Sequence, residues 1–251
     1  MIKMSKREID DILHFREDIS PFLVHLTREQ GERTAPQTLW SIINDRCLKC
    51  SLNPISDVRF GIHISEVNDY LMEGFFSASC FTETPLNEIH SLLEIENRQV
   101  DLAPYGLVFL KENLAQKGVS PVLYINNKNG DKDPIFVALG SLASSHRDEA
   151  LELLPLFAVY GKKIKGVGAG HHSPGKNEFI WEREWRYPYV KGDLEFNEDD
   201  VFIGLCPNEH IDAYEELWPE IPFVDPTRNM KWYANKLIDS RKRLGIKDSV
   251  V

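Results

Sequence analysis

Short apolar runs alternate with segments of helical spacing along most of this chain. The runs that begin at Pro21, Phe75, Tyr105, Pro121 and Val201 are rich in β-branched and aromatic residues, which favours β-strands. Between them, apolar residues recur at helical spacing in the segments 36–46, 86–93 and 145–157 and again after Pro207, and a short polar stretch over 111–117 is also predicted to be helical. The pattern therefore predicts a mixed α+β fold.

Both ends of the chain have the spacing of helices. Ser5 and Glu8 form a capping box in front of an amphipathic pattern over 5–19, and Asp225-Pro226 opens a second pattern over 226–243. No internal repeat and no interdomain linker separates the segments between them. We therefore predict a single domain over residues 1–251, with these two helices at its periphery.

The segment 179–190 combines acids, bases and aromatic residues, and we predict that it is a strand. In an extended chain, Glu182 and Glu184 lie on one face, because side chains repeat every second residue. Two carboxylates held close together are a candidate for acid-base chemistry. The alternative is a solvated strand face on which Arg183 and Arg186 are the counter-ions.

Composition limits the classes of protein that this chain can belong to. Its 251 residues are 42% hydrophobic and 27% charged, which suits a globular protein with a large core. The net charge of −10 argues against a broad nucleic-acid-binding surface, so strong nucleic-acid binding is not expected. The sequence has no leader pattern and no apolar run that is long enough for a bilayer, so we expect a cytoplasmic, reduced protein without a membrane partner.

Cys47 and Cys50 form a Cys-x-x-Cys motif. A structural zinc site needs about four ligands, and no second pair follows. His171-His172 would complete such a site, but they lie in the glycine- and lysine-rich segment 162–176, which is typical of a mobile loop. The interpretation as two ordinary thiols therefore stands beside the zinc site, and we assign no metal.

Four side chains on the predicted strands are candidates for ligand binding. His25 lies beside Thr27 in the first apolar run, where an imidazole can hydrogen-bond a ribose hydroxyl or can simply be satisfied by the fold. Ser77 and Ser79 are two residues apart, so their hydroxyls share a strand face, which is either a binding surface or an exposed strand edge.

Tyr105 and Tyr124 each stand at one end of an apolar run. Both can stack on a planar ligand or pack in the core. The sequence contains no phosphate-binding Gly-x-x-x-x-Gly-Lys, no Gly-x-Ser-x-Gly and no His-Glu-x-x-His motif. The sequence therefore excludes P-loop nucleoside triphosphatases, serine hydrolases with a nucleophile elbow, and zincin proteases.

Several short motifs, in this order, resemble the AbiGi family, the antitoxin components of bacterial abortive phage-infection systems. The resemblance covers roughly residues 21–190, and the motifs that carry it are His25-Leu26-Thr27, Cys80-Phe81-Thr82-Glu83-Thr84-Pro85-Leu86, Tyr105-Gly106-Leu107-Val108-Phe109, Pro121-Val122-Leu123-Tyr124 and Glu182-Arg183-Glu184-Trp185-Arg186. It implies a role in antiviral defence within a toxin-antitoxin system, and it implies a companion toxin or antitoxin protein as partner.

A second resemblance bears on chemistry. A histidine on the first strand, a Ser-x-Ser on a central strand and a Glu-x-Glu on a late strand are similar to the pattern of ADP-ribosyltransferases, whose substrate is NAD. The resemblance implies an α+β domain with a split, mostly antiparallel central sheet. It also implies residue roles: His25 and Thr27 hold a ribose of NAD, Ser77 and Ser79 brace the nicotinamide-ribose pocket, Glu184 binds the ribose hydroxyl and Glu182 orients or activates the acceptor. Tyr105 is a candidate for the aromatic residue that stacks on the ligand, at a position that the pattern does not fix.

Two functions follow from these resemblances. In the first, the chain is an NAD-dependent ADP-ribosyltransferase that modifies a macromolecule during phage infection. In the second, it is a non-catalytic antitoxin that neutralises a companion toxin by direct contact, because a silent transferase fold would retain many of the same residues for packing.

Overall fold

The structure is a computed structural model that describes residues 19–29, 31–50, 74–95, 101–126, 134–160 and 179–246. The predicted helix over 5–19, except for its last residue, and the whole segment 162–176 with His171-His172 lie outside the described residues.

Eleven strands occur in the described part of the chain. They are β1 (Phe22–Leu26), β2 (Cys47–Leu48), β3 (Ala78–Thr82), β4 (Gly106–Leu110), β5 (Ser120–Pro121), β6 (Leu123–Asn126), β7 (Phe157–Tyr160), β8 (Glu184–Pro188), β9 (Leu194–Glu195), β10 (Val201–Leu205) and β11 (Phe223–Val224).

Seven α-helices occur in the same described ranges. They are α1 (Ala35–Asp45), α2 (Ile89–Leu93), α3 (Lys111–Gln116), α4 (Pro134–Ser145), α5 (Arg147–Leu153), α6 (Ile211–Leu217) and α7 (Ala234–Arg243). Short 3-10 helices adjoin four of them, at Leu86–Glu88, Leu154–Leu156, Asn208–His210 and Met230–Tyr233, and two more flank β8, at Phe179–Glu182 and Tyr189–Lys191.

The predicted α+β class is confirmed, since seven of the strands form a mixed, mostly antiparallel sheet that is flanked by helices. The chain divides into two compact units. The first unit comprises 1–41, 83–112 and 197–251, and the second comprises 42–82 and 113–196. The single-domain prediction is not tested by this division and stays a prediction.

The first unit contains four strands in the order β11-β10-β4-β1. β1 and β10 both pair antiparallel with β4, while β11 runs parallel to β10. Alternate residues of β1 pack into one hydrophobic core, namely Phe22, Val24 and Leu26. Leu92 of α2 and Met230, near the start of the C-terminal segment, belong to the same core. Burial of these apolar side chains explains why the short runs at Pro21, Tyr105 and Val201 form strands.

Gly106 allows β1 and β4 to approach closely at the start of β4. A Cβ at this position would lie 2.2 Å from the carbonyl oxygen of His25. Only glycine avoids that clash with a backbone atom.

The second unit contains three small sheet sections. β3, β8 and β5 follow one another antiparallel, β2 pairs antiparallel with β9, and β6 pairs parallel with β7. Its core is formed by apolar side chains of the turn before β3, of β6 and of the two helices that follow β6, namely Phe75, Phe76, Ile125, Phe136, Leu139, Ala143, Ala150 and Leu154.

The single strand that we predicted over 121–125 is wrong, because the structure divides it between two sheets. Ser120 and Pro121 pair with β8, and Leu123 begins the pairing with β7. Between them, the amide of Val122 donates to the carbonyl of Glu184 over 2.9 Å. The chain therefore changes partner within one apolar run.

Two predicted helix boundaries also differ from the structure. The pattern over 145–157 is α5 followed by a 3-10 turn, and α4 precedes it over a segment that we had assigned to no element. The C-terminal helix begins at Ala234 and not at 226, because the Asp225 carboxylate accepts bonds from the amides of Thr227 and Asn208 and holds a turn there. The predicted α1 is confirmed to within one residue, and the Gln37 side chain accepts from the amide of Thr34 as in a capping box.

No helix among the described residues is both long enough and apolar enough to cross a bilayer. Nor do three or more histidine, cysteine, aspartate or glutamate side chains in those ranges come together as a possible metal site.

Candidate functional site

The backbone around Glu182 and Glu184 differs from the continuous strand that we predicted. Residues Phe179–Glu182 form a 3-10 helix, Arg183 adopts a positive φ of 48°, and the strand β8 begins only at Glu184. The left-handed residue reverses the chain between the two glutamates, so the strand alternation does not extend to Glu182. The prediction that both carboxylates lie on one strand face is therefore wrong.

Local hydrogen bonds explain this turn. The hydroxyl of Thr82 donates to the carbonyl of Glu182 over 2.6 Å, and the amide of Arg183 donates to the carbonyl of Ile180 over 3.2 Å. These bonds satisfy backbone groups that a sheet ladder would otherwise satisfy. Glu182 as a whole is buried, with 8% of its surface exposed.

The Glu184 carboxylate is held by Arg186, two residues along the same strand. Nε of Arg186 donates to Oε1 and Nη2 donates to Oε2, each over 2.9 Å. This is the bidentate geometry in which a guanidinium and a carboxylate bind most strongly. The Glu184 side chain stays 18% exposed, whereas that of Arg186 is 4% exposed.

Arg186 is also bound to the main chain. Its Nη1 donates to the carbonyl of Pro155 over 2.7 Å and to that of Phe157 over 3.0 Å. Burial of the guanidinium lowers the pKa of Arg186, but the Glu184 charge and its hydrogen bonds raise it, and the net direction is upward. Arg186 is therefore a counter-ion of Glu184, as in one of our two interpretations, but the pair is largely buried and not on a solvated face.

Tyr124 lies close to this ion pair. Burial raises the pKa of its hydroxyl, as do the charges of Glu184 and Glu182, while the charge of Arg186 acts in the opposite direction. The position follows from the chain path, since Val122 is bonded to Glu184 and Tyr124 pairs with Ala158, the neighbour of Phe157. Within the second unit, the hydroxyl of Tyr124 is thus affected by the charges of Glu184, Arg186 and Glu182.

The strand next to β8 carries the predicted serine pair. In the β3–β8 ladder, Ser79 lies opposite Tyr187 and Thr82 lies opposite Glu184. Ser77 is fully buried and Ser79 is 8% exposed, so neither lies on the exposed strand edge that was the alternative interpretation.

Ser79 contacts one cysteine of the Cys-x-x-Cys motif. Its Oγ lies 3.0 Å from Sγ of Cys50, and burial raises the pKa of that thiol. Burial likewise raises the pKa of Cys47, and both cysteines are free thiols. The predicted binding role of the serines stays a prediction, but the Ser79 hydroxyl has a protein partner.

The remaining predicted residues lie in the first unit. His25 is a half-buried residue of β1, and Thr27 follows the strand with 2% of its surface exposed. The Thr27 hydroxyl lies 3.2 Å from the carbonyl of Ala35 and 3.1 Å from that of Tyr105, so it ties the end of β1 to two neighbouring segments.

Tyr105 precedes β4 and contacts a histidine that we did not predict. Its hydroxyl lies 2.8 Å from Nδ1 of His210, and the two rings are stacked with centroids 5.8 Å apart. Burial raises the pKa of Tyr105, with the charges of Cys206 and Glu209 acting in the same direction. Nothing in the sequence near 208–210 indicated this contact, because it depends on the pairing of β4 with β10.

The structure thus pairs Glu184 with Arg186 close to Tyr124, whereas Glu182 lies in the 3-10 helix that precedes β8. One of the two interpretations names Arg186 as a counter-ion, and the spacing Glu184-x-Arg186 within a strand is a signal for such a same-face pair. The bonds from Arg186 to the carbonyls of Pro155 and Phe157 were not predicted. A cleft of about 290 Å³ lies elsewhere, in the first unit next to α7, where Glu215, Lys236 and Arg243 line it. It contains no residue of the predicted site.

No protein-family model, curated protein or solved structure matches the chain. The two resemblances drawn from the sequence therefore stay predictions, and the candidate site depends on its own geometry.

Proposed function

We propose that this chain is an abortive-infection defence protein that transfers ADP-ribose from NAD to a macromolecular target. The reaction breaks the bond between C1′ of the nicotinamide ribose and the nicotinamide nitrogen, and it forms a bond between C1′ and a nucleophile of the acceptor. The ribose then carries positive charge in the transition state, which a fixed carboxylate in a dry site stabilises much better than water does.

The observation that carries the proposal is the bidentate pair in which Arg186 holds the Glu184 carboxylate, two residues after the buried Glu182. Arg186 takes one hydrogen-bond position on each oxygen of Glu184. A carboxylate oxygen accepts about two hydrogen bonds, and the side chain is 18% exposed, so Glu184 retains the capacity to accept a ribose hydroxyl.

Glu182 supplies the second role in this proposal. A buried carboxylate next to the reacting ribose accepts the proton of the attacking nucleophile, which is general-base catalysis. By the resemblance, Ser77 and Ser79 of the same unit brace the nicotinamide-ribose pocket.

The test is transfer of label from adenylate-labelled NAD to macromolecules of a bacterial lysate. We expect Glu184→Gln to abolish transfer and Glu182→Gln to lower its rate by about 10²- to 10⁴-fold. Glu195→Gln is the matched control, because this glutamate belongs to the same unit but is exposed on β9. Circular dichroism establishes that each variant is folded, and unchanged transfer by a folded Glu184→Gln protein would rule the proposal out.

A second candidate is the non-catalytic antitoxin, which a different consideration favours. The contacts of Glu184 with Arg186, and of Arg186 with two backbone carbonyls, give both side chains a purely structural use. This function predicts that calorimetry detects no heat of NAD binding, and that the protein copurifies in a stable complex with the product of the neighbouring gene. NAD binding without such a complex would exclude it.

A further inference from the structure

The guanidinium of Arg186 links the Glu184 carboxylate to a rigid piece of main chain. Its Nη1 is fixed by two carbonyls, that of Pro155 within the 3-10 helix Leu154–Leu156 and that of Phe157 at the start of β7. The remaining side of the guanidinium plane presents Nε and Nη2 to Glu184. Because the guanidinium is planar, the main chain dictates the plane and direction in which the carboxylate is held.

Charge alone does not account for this arrangement. The ion pair of Glu184 and Arg186 on β8 interacts with the thiol of Cys80 on β3 and with the hydroxyl of Tyr124 on β6. The cation of this set is Arg186, and it is 3% exposed. An ammonium would supply the same charge, but it has no fork that matches the two carboxylate oxygens.

We propose that Arg186 is the positioning residue of the site: it fixes the orientation of the Glu184 carboxylate toward the ribose and does not itself touch the substrate. This inference rests on the proposed transferase function. A displacement of about 1 Å of a group that contacts the reacting ring is sufficient to slow a reaction by about 10²-fold. The orientation therefore affects the rate of the chemical step more than the binding of NAD.

The experiment compares kcat and KM for NAD, measured by nicotinamide release in the presence of a fixed amount of bacterial lysate. Arg186→Lys keeps the charge and removes the fork, so we expect kcat to fall by about 100-fold while KM for NAD changes by less than about threefold. Arg147→Lys is the matched control, because it makes the same substitution in the same unit at an exposed position of α5, and we expect its kcat to be unchanged.

A double variant separates positioning from a general effect on the fold. If Arg186 acts through Glu184, then Arg186→Lys has little further effect on kcat in a Glu184→Asp background, where the shorter side chain has already withdrawn the carboxylate. Independent, multiplying effects of the two substitutions would overturn the proposal. Full kcat in the Arg186→Lys single variant would overturn it as well.

Two outcomes distinguish this inference from the function on which it rests. A wild-type protein that releases no nicotinamide contradicts the proposed function itself, whereas an active wild type with an equally active Arg186→Lys contradicts only the positioning role. If circular dichroism shows that Arg186→Lys is unfolded, the Glu184→Asp variant alone tests the proposal. We expect the same loss of kcat at similar KM, and an undiminished kcat would overturn the proposal.

Discussion

Removal of the Glu184 carboxylate leaves a buried guanidinium without its counter-ion. Arg186 is 3% exposed, so water cannot replace the two bonds of 2.9 Å that Glu184→Ala removes. Breaking one side of a buried ion pair costs about 3–5 kcal/mol, and we expect a loss of that size in the free energy of unfolding.

Replacement of Arg186, the other member of the ion pair, has different consequences. Arg186→Met removes the bonds to the carbonyls of Pro155 and Phe157 as well, and hydrogen bonds from a charged donor contribute about 1.5–3 kcal/mol each. The Glu184 side chain that remains is 18% exposed and regains part of its hydration. The double variant Glu184→Ala/Arg186→Met leaves no buried charge, so we expect it to lose about 2 kcal/mol less than the sum of the two single variants.

Urea unfolding of the full chain, followed by circular dichroism, measures these free energies. Asp239→Asn is the control, because Asp239 pairs with Lys242 across 3.3 Å where both side chains are about 70% exposed, and such pairs contribute little. We expect no measurable change for the control. The prediction is wrong if the single variants at the Glu184–Arg186 pair are as stable as this control. It is also wrong if the double variant loses as much free energy of unfolding as the two single variants together.

Three further predictions concern the first unit. Burial raises the pKa of Cys206 from 9.0 to about 12, so the folded state binds the thiol proton more tightly than the unfolded state does. The protonated thiol therefore stabilises the fold fully below pH 9, and this contribution is lost between pH 9 and 12. In urea unfolding over that window, we expect the free energy of unfolding of the wild type to fall relative to that of Cys206→Ala by at most about 1.4 kcal/mol per pH unit. Equal dependence of the two free energies on pH would contradict this. Gly106→Ala places a Cβ 2.2 Å from the His25 carbonyl oxygen and should cost about 1–3 kcal/mol, which an unchanged urea midpoint would disprove. Tyr105→Phe removes the 2.8 Å bond to His210 and should lower the unfolding free energy by about 1 kcal/mol, whereas equal stability would show that the bond contributes nothing.

Local pattern was sufficient to predict the elements whose neighbours are close in sequence or whose faces are uniformly buried. The apolar runs of β1, β4 and β10 form strands as expected, since each buries its side chains against the core of the first unit. The helix α1 begins and ends within one residue of its prediction because its capping signal, Thr34 with Gln37, is local. The α+β class follows from the same local patterns.

Partner exchange and turns between distant segments could not be predicted in this way. The apolar run 121–125 looks like one strand, but the pairing of Ser120 and Pro121 with β8 and of Leu123 with β7 divides it. The helix α4 has apolar residues on its buried and its exposed side, for example Phe136 and Val137, so it gives no clear helical periodicity.

The candidate site shows the same division between sequence and tertiary structure. The sequence by itself pointed to Glu182 and Glu184 as a pair of acids in a segment rich in bases and aromatic residues. Their surroundings depend on the tertiary structure. A hydrogen bond from Thr82 to the carbonyl of Glu182 holds that residue in a turn. Arg186 binds the Glu184 carboxylate and also donates to the carbonyls of Pro155 and Phe157. Those partners lie about 30 to 100 residues away along the chain, and only burial in a common core brings them within hydrogen-bonding distance.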